Sequence, residues 1–380
     1  MAKKEKKQHR LSGRFAIFFT ILLFVCVIIF LNANSSSGSI RRIAYWIFNG
    51  VRGDASEATV SFDENEGSRF IALGGNLAIV SPEELCAYKL SGSKLMSEPV
   101  LLRNPAVVTL SPRYLAFDLG GRNFYLANSK KILASGECDS KILNANMSNN
   151  GGFTITTDSS ESKTLVTVYD FSASPIYKFY SSEKYIFDGA VSPNGKTVAV
   201  LTYGTEEGRF ESSIGFAKIK TDGFYANLSL GTSVPLCLRY NSDGRISVVC
   251  NDRYVVCNNN GEIVSEISYE GLTLKAFTDP KNKCLAILLN DYQNGSNYKL
   301  LSVNANGELT SSAEIPEDVY SISANGNYIS LQYSDKCVVY KSDLSVHCEF
   351  MIPNSVNKCS VFRNGNVLLI SANSASLYVS

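Results

Sequence analysis

Apolar positions along most of the chain fall in short runs that are separated by turn residues. From about residue 55 onward, runs of Val, Ile, Leu, Phe, Tyr and Thr alternate with Gly, Asn, Ser and Asp, which is typical of β-strands joined by tight turns. One unit recurs, consisting of an apolar run, a turn and a second apolar run. Its copies begin at Phe70, Val107, Leu143, Gly189, Cys237, Ala276, Ser321 and Ser360. The pattern predicts an all-β repeat domain over residues 55–380.

The spacing of these hairpins predicts a β-propeller. Successive turns lie 38 to 49 residues apart, which is the length of one four-stranded blade. Seven units are complete, and the eighth ends after its third strand at Ser376–Val379. A strand at Ala58–Asp63 would complete that blade and pair both terminal edges. We therefore predict an eight-bladed propeller, with a seven-bladed one as the alternative. A pair of β-sandwiches would explain the strands but not the period.

The N-terminal region predicts a single transmembrane helix. Phe15–Leu31 contains no charged residue, and Asn32 and Ala33 extend the uncharged stretch to residues 15–33, long enough to cross a bilayer. Residues 1–14 carry six basic residues against Glu5, so we expect this tail in the cytoplasm and the propeller on the extracytoplasmic side. A cleaved signal peptide is the alternative, but Leu31 fits poorly before a cut after Ala33.

Residues 34–54 connect the predicted anchor to the repeats. Ser35–Ser39 reads as a flexible linker. Apolar residues then recur at helical spacing, at Ile40, Ile43, Ala44, Ile47 and Val51. Such an amphipathic segment can lie on the membrane surface or pack against the propeller, and the sequence leaves both possibilities open.

Charge and composition narrow the function classes. The chain has 36 Lys and Arg against 35 Asp and Glu, a formal net charge of +1, which excludes a globally basic nucleic-acid-binding protein. It has two His and one Trp. His9 lies in the basic tail and His347 in a strand far from the channel, so imidazole-based catalysis and zinc binding are both disfavoured. We predict no metal site.

One turn carries a family resemblance. Ser192-Pro193-Asn194-Gly195-Lys196, followed by an apolar strand, resembles the first turn of a WD40-like or quinoprotein-like blade. The resemblance covers about residues 55–380 and implies the fold, not an activity. A basic tail, one anchor and an external propeller together are similar to uncharacterised bacterial membrane proteins. The chain departs from the named families, because no blade ends in Trp-Asp and Trp46 precedes the repeats. We therefore predict no quinone cofactor, and no other cofactor.

Three of the connections between second and third strands are predicted to be extended loops: Asp158–Lys163, Tyr203–Ser213 and Asp291–Asn297. In propellers these loops share one face with the connections between blades. Long polar loops with aromatic residues are common binding sites, and tolerated surface insertions are the alternative. The candidate contact residues are Tyr203, Glu206, Glu207, Arg209, Phe210, Tyr292 and Tyr298.

Nine of the ten cysteines lie outside the predicted anchor. Their odd number and irregular spacing argue against a disulfide framework, and most lie in apolar runs, so we expect buried thiols. Two hairpin pairs, Cys237 with Cys250 and Cys337 with Cys348, are the candidate disulfides.

The sequence thus favours a membrane-anchored extracytoplasmic binding or scaffold module for a protein, a peptide or a cell-envelope polymer. The alternative is a cell-envelope hydrolase or lyase that uses carboxylates near the channel, with Glu206, Glu207, Glu211 and Asp291 as acid or base candidates. We predict no nucleic-acid partner, and no catalytic residue can be assigned from the sequence.

Overall fold

The structure, a computed structural model, describes residues 60–62, 67–281, 283–291 and 297–379. These residues form eight four-stranded antiparallel sheets. The predicted basic tail (1–14), transmembrane helix (15–33) and connecting segment (34–54) lie outside the described residues. Within the described ranges, no helix is long and apolar enough to span a bilayer.

Each sheet is one blade, and its strands follow one another in the sequence, except for the last. Blade 1 contains β2 (Arg69–Leu73), β3 (Asn76–Val80), β4 (Glu84–Lys89) and β5 (Lys94–Pro99). Blade 2 contains β6 (Pro105–Leu110), β7 (Arg113–Asp118), β8 (Asn123–Asn128) and β9 (Ile132–Glu137). Blade 3 contains β10 (Ile142–Met147), β11 (Phe153–Asp158), β12 (Thr164–Tyr169) and β13 (Pro175–Ser181). Blade 4 contains β14 (Tyr185–Val191), β15 (Thr197–Glu206), β16 (Arg209–Lys218) and β17 (Ala226–Gly231).

The second half repeats this order. Blade 5 contains β18 (Pro235–Tyr240), β19 (Ile246–Cys250), β20 (Arg253–Cys257) and β21 (Ile263–Ser268). Blade 6 contains β22 (Thr273–Phe277), β23 (Cys284–Asn290), β24 (Tyr298–Asn304) and β25 (Leu309–Ile315). Blade 7 contains β26 (Ser321–Asn325), β27 (Tyr328–Gln332), β28 (Lys336–Lys341) and β29 (Val346–Met351). Blade 8 contains β30 (Val356–Val361), β31 (Val367–Ser371), β32 (Ser374–Tyr378) and β1 (Val60–Ser61).

The predicted count of eight blades is confirmed. The last blade takes its fourth strand from the other end of the repeat region, because Val60 pairs with Ala375 and Ser61 with Ser374. The backbone N–H of Phe62 then donates to the carbonyl of Asn373 at 3.0 Å. This pairing joins the two ends of the ring and covers an edge that would otherwise be open for aggregation.

Apolar side chains fill the space between neighbouring blades. The second and third strands are almost wholly buried, as in β19 and β23, whereas outer strands such as β21 alternate between exposed and partly buried positions. Between blades 4 and 5, for example, Phe216 and Ile214 pack in one cluster with Leu238 and Val248. The pattern explains why the second and third strands read as continuous apolar runs in the sequence.

A side-chain-capped turn joins the first two strands of blade 4. The Ser192 backbone N–H donates to the carbonyl of Thr197, and the Gly195 N–H donates back to the carbonyl of Ser192, both at 2.9 Å. Gly195 has a φ of 68°, which a residue without a Cβ adopts at little cost. Asn194 Oδ1 accepts from the Lys196 N–H at 3.0 Å. The Ser192 hydroxyl also accepts from the Thr197 N–H at 3.0 Å, and these contacts account for Ser192, Asn194 and Gly195 of the signature.

The two candidate disulfides are absent, and none of the nine described cysteines is in a disulfide. Cys237 lies opposite Val249, and Cys250 lies opposite Pro235, because an extra residue in β18 shifts the register. Cys337 lies opposite Phe350, and Cys348 lies opposite Val339. Neither candidate pair therefore lies directly opposite across its hairpin, and the described cysteines are free thiols that are buried except for Cys348. Burial raises the pKa of the Cys237 and Cys250 thiols to about 12, which disfavours the reactive thiolate.

Candidate functional site

The inner strand of each blade, the first in its sequence order, borders the central channel. In an up-and-down blade, the inner strands begin on the same face as the connections between blades and the turns between second and third strands. We call this the mouth face. Candidate ligand contacts are expected there, because long connections on a rigid scaffold are the usual place for them.

Five inner strands carry an extra residue near the mouth face. The register shifts by one in β10, β14, β18, β22 and β30, and in each strand one residue has no cross-strand partner. These bulge residues are Leu143, Phe187, Leu236, Lys275 and Asn357. Four of them are exposed and Phe187 is partly buried. Bulges redirect a side chain out of the regular sheet pattern and are frequent beside functional sites.

A buried charge network lies deeper along the channel. The Arg239 guanidinium on β18 is 3.3 Å from Asp188 Oδ2 on β14 and 3.6 Å from Asp279 Oδ2, just after β22. The Asp188 side chain is 1% exposed and that of Arg239 is 14% exposed. The two carboxylates that contact this guanidinium would repel each other, and its positive charge offsets that repulsion.

The network also spans the channel. Lys281, at the far end of blade 6, donates a hydrogen bond from Nζ to the carbonyl of Met147 in blade 3 and lies 3.5 Å from Asn146 Oδ1. Asn146 Nδ2 in turn donates to Asp188 Oδ2 at 3.3 Å and to the carbonyl of Leu238 at 2.6 Å. Polar contacts thus connect the inner strands of blades 3, 4, 5 and 6 at the end opposite the mouth.

Burial shifts the pKa values of the charged side chains in this network. It raises the pKa of Asp188 to about 6, although the nearby Arg239 charge opposes the shift. It lowers the pKa of Lys281 to about 8, against the attraction of Asp279. Burial would also raise the pKa of Asp279, but Arg239 and Lys281 hold that pKa below its ordinary value. Asp279 is the more solvated carboxylate, with its side chain 37% exposed.

The segment Tyr203–Ser213 is a hairpin and not the loop that the sequence predicts. β15 and β16 pair in unbroken register up to Glu206 and Arg209, with Glu207 and Gly208 as the turn. Both turn residues have positive φ, 50° and 77°, the geometry that matches the right-handed twist of a hairpin. The neighbouring strands stop earlier, at Tyr185 and Gly231. The tip therefore extends beyond its own blade on the mouth face.

Three aromatic rings form a row along this hairpin. The Tyr203 ring stacks on Tyr185 with centroids 5.6 Å apart and on Phe210 with centroids 6.3 Å apart. Lys163, from the connection of blade 3, places its ammonium 5.0 Å from the centre of the Tyr185 ring. We call Tyr185, Tyr203 and Phe210 the aromatic row. Rigid rings with polar edges are favourable binding surfaces because little side-chain entropy is lost.

Two of the predicted glutamates meet beside this row. Lys184 Nζ is 3.8 Å from Glu206 Oε2 and 3.2 Å from Glu211 Oε2. A shared hydrogen bond with Glu211 raises the pKa of Glu206, and the same bond together with Lys184 lowers the pKa of Glu211. Glu207 is exposed at the turn and Arg209 lies opposite Glu206. The structure thus brings together Tyr203, Glu206, Glu207, Arg209 and Phe210.

Two predicted contact residues do not join this group. Tyr298 is 6% exposed and packs in the core between blades 6 and 7, where its hydroxyl lies 3.1 Å from Asp318 Oδ1. It is a core residue, because its strand β24 is almost wholly buried. Tyr292 lies outside the described residues, as do residues 292–296 of its predicted loop.

Metal chemistry finds no support among the described side chains. No group of three or more His, Cys, Asp or Glu residues in that part of the chain is placed to hold an ion. His347 lies on the outer strand β29, with its ring 4.8 Å from that of Tyr328. This ring contact indicates that His347 is a packing residue.

Sequence reasoning missed the bulge residues and the channel network. One feature of the sequence could have indicated the network. A charged residue lies within or at the end of an apolar inner-strand run at Asp188, Arg239 and Asp279. Nothing in the sequence indicated that these charges would meet, because Asp188 and Arg239 are 51 residues apart and lie in different blades.

The fold and the channel network define a class: an eight-bladed β-propeller with a buried charge network among blades 4, 5 and 6. The chain belongs to the family described as DUF5711, a family of unknown function, whose model matches residues 51–377. No curated protein matches the sequence.

Solved propellers share the fold at low identity. The chain is similar to BamB from Moraxella catarrhalis, at 12% identity and a TM-score of 0.52, over 84% of this chain and 98% of that one. The C-terminal WD40 domain of Sif2 has 12% identity and a TM-score of 0.56, over 84% and 97%. Sqt1 from Chaetomium thermophilum, solved bound to the N-terminus of ribosomal protein L10, has 10% identity and a TM-score of 0.54, over 85% and 99%. At such identities the likeness concerns the fold alone.

Proposed function

We propose that this protein is a membrane-anchored extracytoplasmic binding module that holds a protein or peptide partner on its mouth face. The observation that carries the proposal is the β15–β16 hairpin, which extends beyond its blade and presents the aromatic row beside paired charges. A paired hairpin with stacked rings, of which Tyr185 is exposed and Tyr203 and Phe210 are half-buried, suits recognition because its backbone is already ordered by strand pairing. A propeller of the same fold, Sqt1, was solved with a protein segment bound.

The tip of the hairpin can be removed while the Tyr203–Ser212 strand pair is kept, at the loss of the Glu211 contacts with Lys184 and Ser229. Replacing Gly204–Glu211 by Asn-Gly would join the paired residues Tyr203 and Ser212 through a favourable two-residue turn. Crosslinking and affinity capture from the native host should recover a defined set of proteins with the wild-type chain and lose part of that set with the trimmed chain. Lys130→Glu, in an exposed turn on the opposite face, is the matched control. Recovery of the same proteins after trimming contradicts the proposal.

The membrane part of the proposal rests on the uncharged stretch at residues 15–33 and the basic residues before it. Protease treatment of intact cells should then degrade the propeller and leave an N-terminal tag inside. Release of the whole chain by high salt would contradict an integral anchor.

The hydrolase alternative needs two carboxylates with room for a scissile bond between them. Asp188 and Asp279 do converge, but the Arg239 guanidinium lies between them. Glu206 and Glu211 likewise converge on the Lys184 ammonium. In both pairs a cation occupies the position that a substrate would need, and the geometry supports binding better than hydrolysis.

A further inference from the structure

The exposed charges on the eight inner strands are all positive. Arg69 begins β2, Lys275 is the bulge residue of β22, and Lys358 follows the bulge residue of β30. The other charged residues of the inner strands, Asp188 and Arg239, are bound to each other. We call Arg69, Lys275 and Lys358 the cationic arc, which belongs to blades 1, 6 and 8.

No described carboxylate forms an ion pair with any residue of the cationic arc. Partial burial lowers the pKa of Lys358, and the like charge of Arg69 adds to that effect. These two cations belong to adjacent blades, because β1 completes blade 8 and the next strand in the sequence, β2, begins blade 1. An anionic group placed between them would relieve this repulsion.

The bulge residues of blades 3, 4 and 5 are apolar. Leu143 is 41% exposed and Leu236 is 40% exposed. Phe187 lies between them in the ring of blades and is half-buried against the apolar cluster between blades 4 and 5. We call these three residues the apolar arc. The ring order of the blades places the apolar arc and the cationic arc on different sides of the same channel mouth, so the mouth is amphipathic across its width.

We propose that the channel mouth binds an extended peptide segment of a partner that alternates apolar and acidic side chains. An extended strand directs successive side chains to opposite sides. Such a segment lying across the mouth places apolar side chains on the apolar arc and carboxylates on the cationic arc. This inference rests on the proposed binding function and names the chemistry of the partner.

The test uses the full-length protein in detergent micelles and dye-labelled synthetic peptides, read by fluorescence anisotropy. The probes are a Leu-Glu alternating peptide, a Leu-Lys peptide and a Ser-Glu peptide of equal length. The Leu-Glu peptide should bind most tightly, and its affinity should fall as salt rises, because exposed charges are screened. Tighter binding of the Leu-Lys peptide, or equal binding of the Ser-Glu peptide, overturns the proposal.

Two double variants test the arcs separately. Lys275→Glu with Lys358→Glu should weaken Leu-Glu binding about tenfold, the effect of two exposed charge pairs. Leu143→Ser with Leu236→Ser should weaken it by a similar factor through lost apolar contact. The control Lys130→Glu, far from the mouth, should bind as the wild type does. All these positions are exposed, and unchanged thermal unfolding verifies the fold. Undiminished binding by either double variant overturns the proposal.

The two proposals fail differently. If hairpin trimming removes captured partners while the mouth variants bind the peptide normally, the mouth assignment is wrong and the binding function stands. If peptide binding depends on both arcs but the trimmed chain captures the same proteins as the wild type, the partner binds at the mouth and does not contact the hairpin. Binding of anionic lipid vesicles in preference to the Leu-Glu peptide would contradict a peptide occupant.

Discussion

Arg239 is the residue on which the channel network depends. Its guanidinium contacts both Asp188 and Asp279, and its Nη1 also donates to the carbonyl of Leu238 at 2.8 Å. Each carboxylate would lose its principal counter-charge without it. A buried pair contributes little net stability, but breaking one is costly because an uncompensated charge remains.

Replacing Arg239 with Met should therefore lower the free energy of unfolding by about 3–5 kcal/mol. Urea denaturation of the full-length protein followed by circular dichroism measures the change. Lys130→Met, at an exposed position without a described ion pair, should change it by less than about 0.5 kcal/mol. A loss below 1 kcal/mol for Arg239→Met would show that the network does not depend on the guanidinium.

The raised pKa of Asp188 predicts a pH dependence with a definite sign. The native state holds the Asp188 proton up to about pH 6, whereas the unfolded chain releases it near the ordinary value of 3.8. The contribution of this group to stability is therefore fully present below about pH 4 and is lost as the pH rises through 6.

Asp188→Asn removes this titration. The unfolding free energy of the wild type minus that of Asp188→Asn should decrease as the pH rises from about 4 to about 6, because only the wild type then has to bury an anion. Urea titrations at several pH values measure the difference, which also cancels the contributions of other carboxylates. A difference that increases over this interval would mean that Arg239 lowers the Asp188 pKa more than burial raises it.

At the scale of elements, the β15–β16 hairpin shows that the geometry of a turn can determine whether a polar segment forms a loop or a pair of strands. The composition of Gly204–Glu211 is polar, so the sequence alone favoured an extended loop. The chain continues to pair because Glu207 and Gly208 both adopt left-handed backbone conformations, which close a two-residue turn. Gly204 also leaves room for the Lys184 side chain that lies against it.

Glu207 is the less suitable of the two turn residues, since only Gly, Asn and Asp adopt a φ near 50° readily. Glu207→Asn should stabilise the tip by up to about 1 kcal/mol, seen as several-fold slower hydrogen exchange of the tip amides. Gly208→Val should accelerate exchange there, because a β-branched residue is strained at a φ of 77°. Equal exchange in both variants would contradict the turn assignment.

The inner-strand bulges could not be predicted from the pattern of apolar and polar residues, although the fold could. The period of the hairpins was sufficient for the fold, because each blade repeats the same burial along its second and third strands. The five bulge residues are Leu, Phe, Leu, Lys and Asn, which share no property that could have marked them. The network was equally hidden, since its contacts join residues of four different blades.

For the whole molecule, the short strand β1 determines whether the ring is closed. Val60 is 2% exposed, whereas its neighbour Ser61 points outward and is exposed. The two adjacent positions therefore provide a matched pair of substitutions on one strand, one toward the core and one toward solvent.

Val60→Asp should lower the free energy of unfolding by about 2–4 kcal/mol, because it buries an uncompensated carboxylate at the closing strand. Ser61→Asp should change it by less than about 0.5 kcal/mol. Thermal unfolding of the two variants and the wild type measures both effects. Equal losses would show that β1 contributes only through its backbone hydrogen bonds.

The closing strand also has a mechanical consequence in the proposed membrane-anchored arrangement. The chain that leads to residues 15–33 continues directly from β1, so a pull between a bound partner and the bilayer acts first on the pairing of Val60 and Ser61 with β32. Among the described residues, two residue pairs and the Phe62–Asn373 hydrogen bond hold β1 on the last blade against that load. The same strand that seals the ring would thus set the force at which the propeller begins to open.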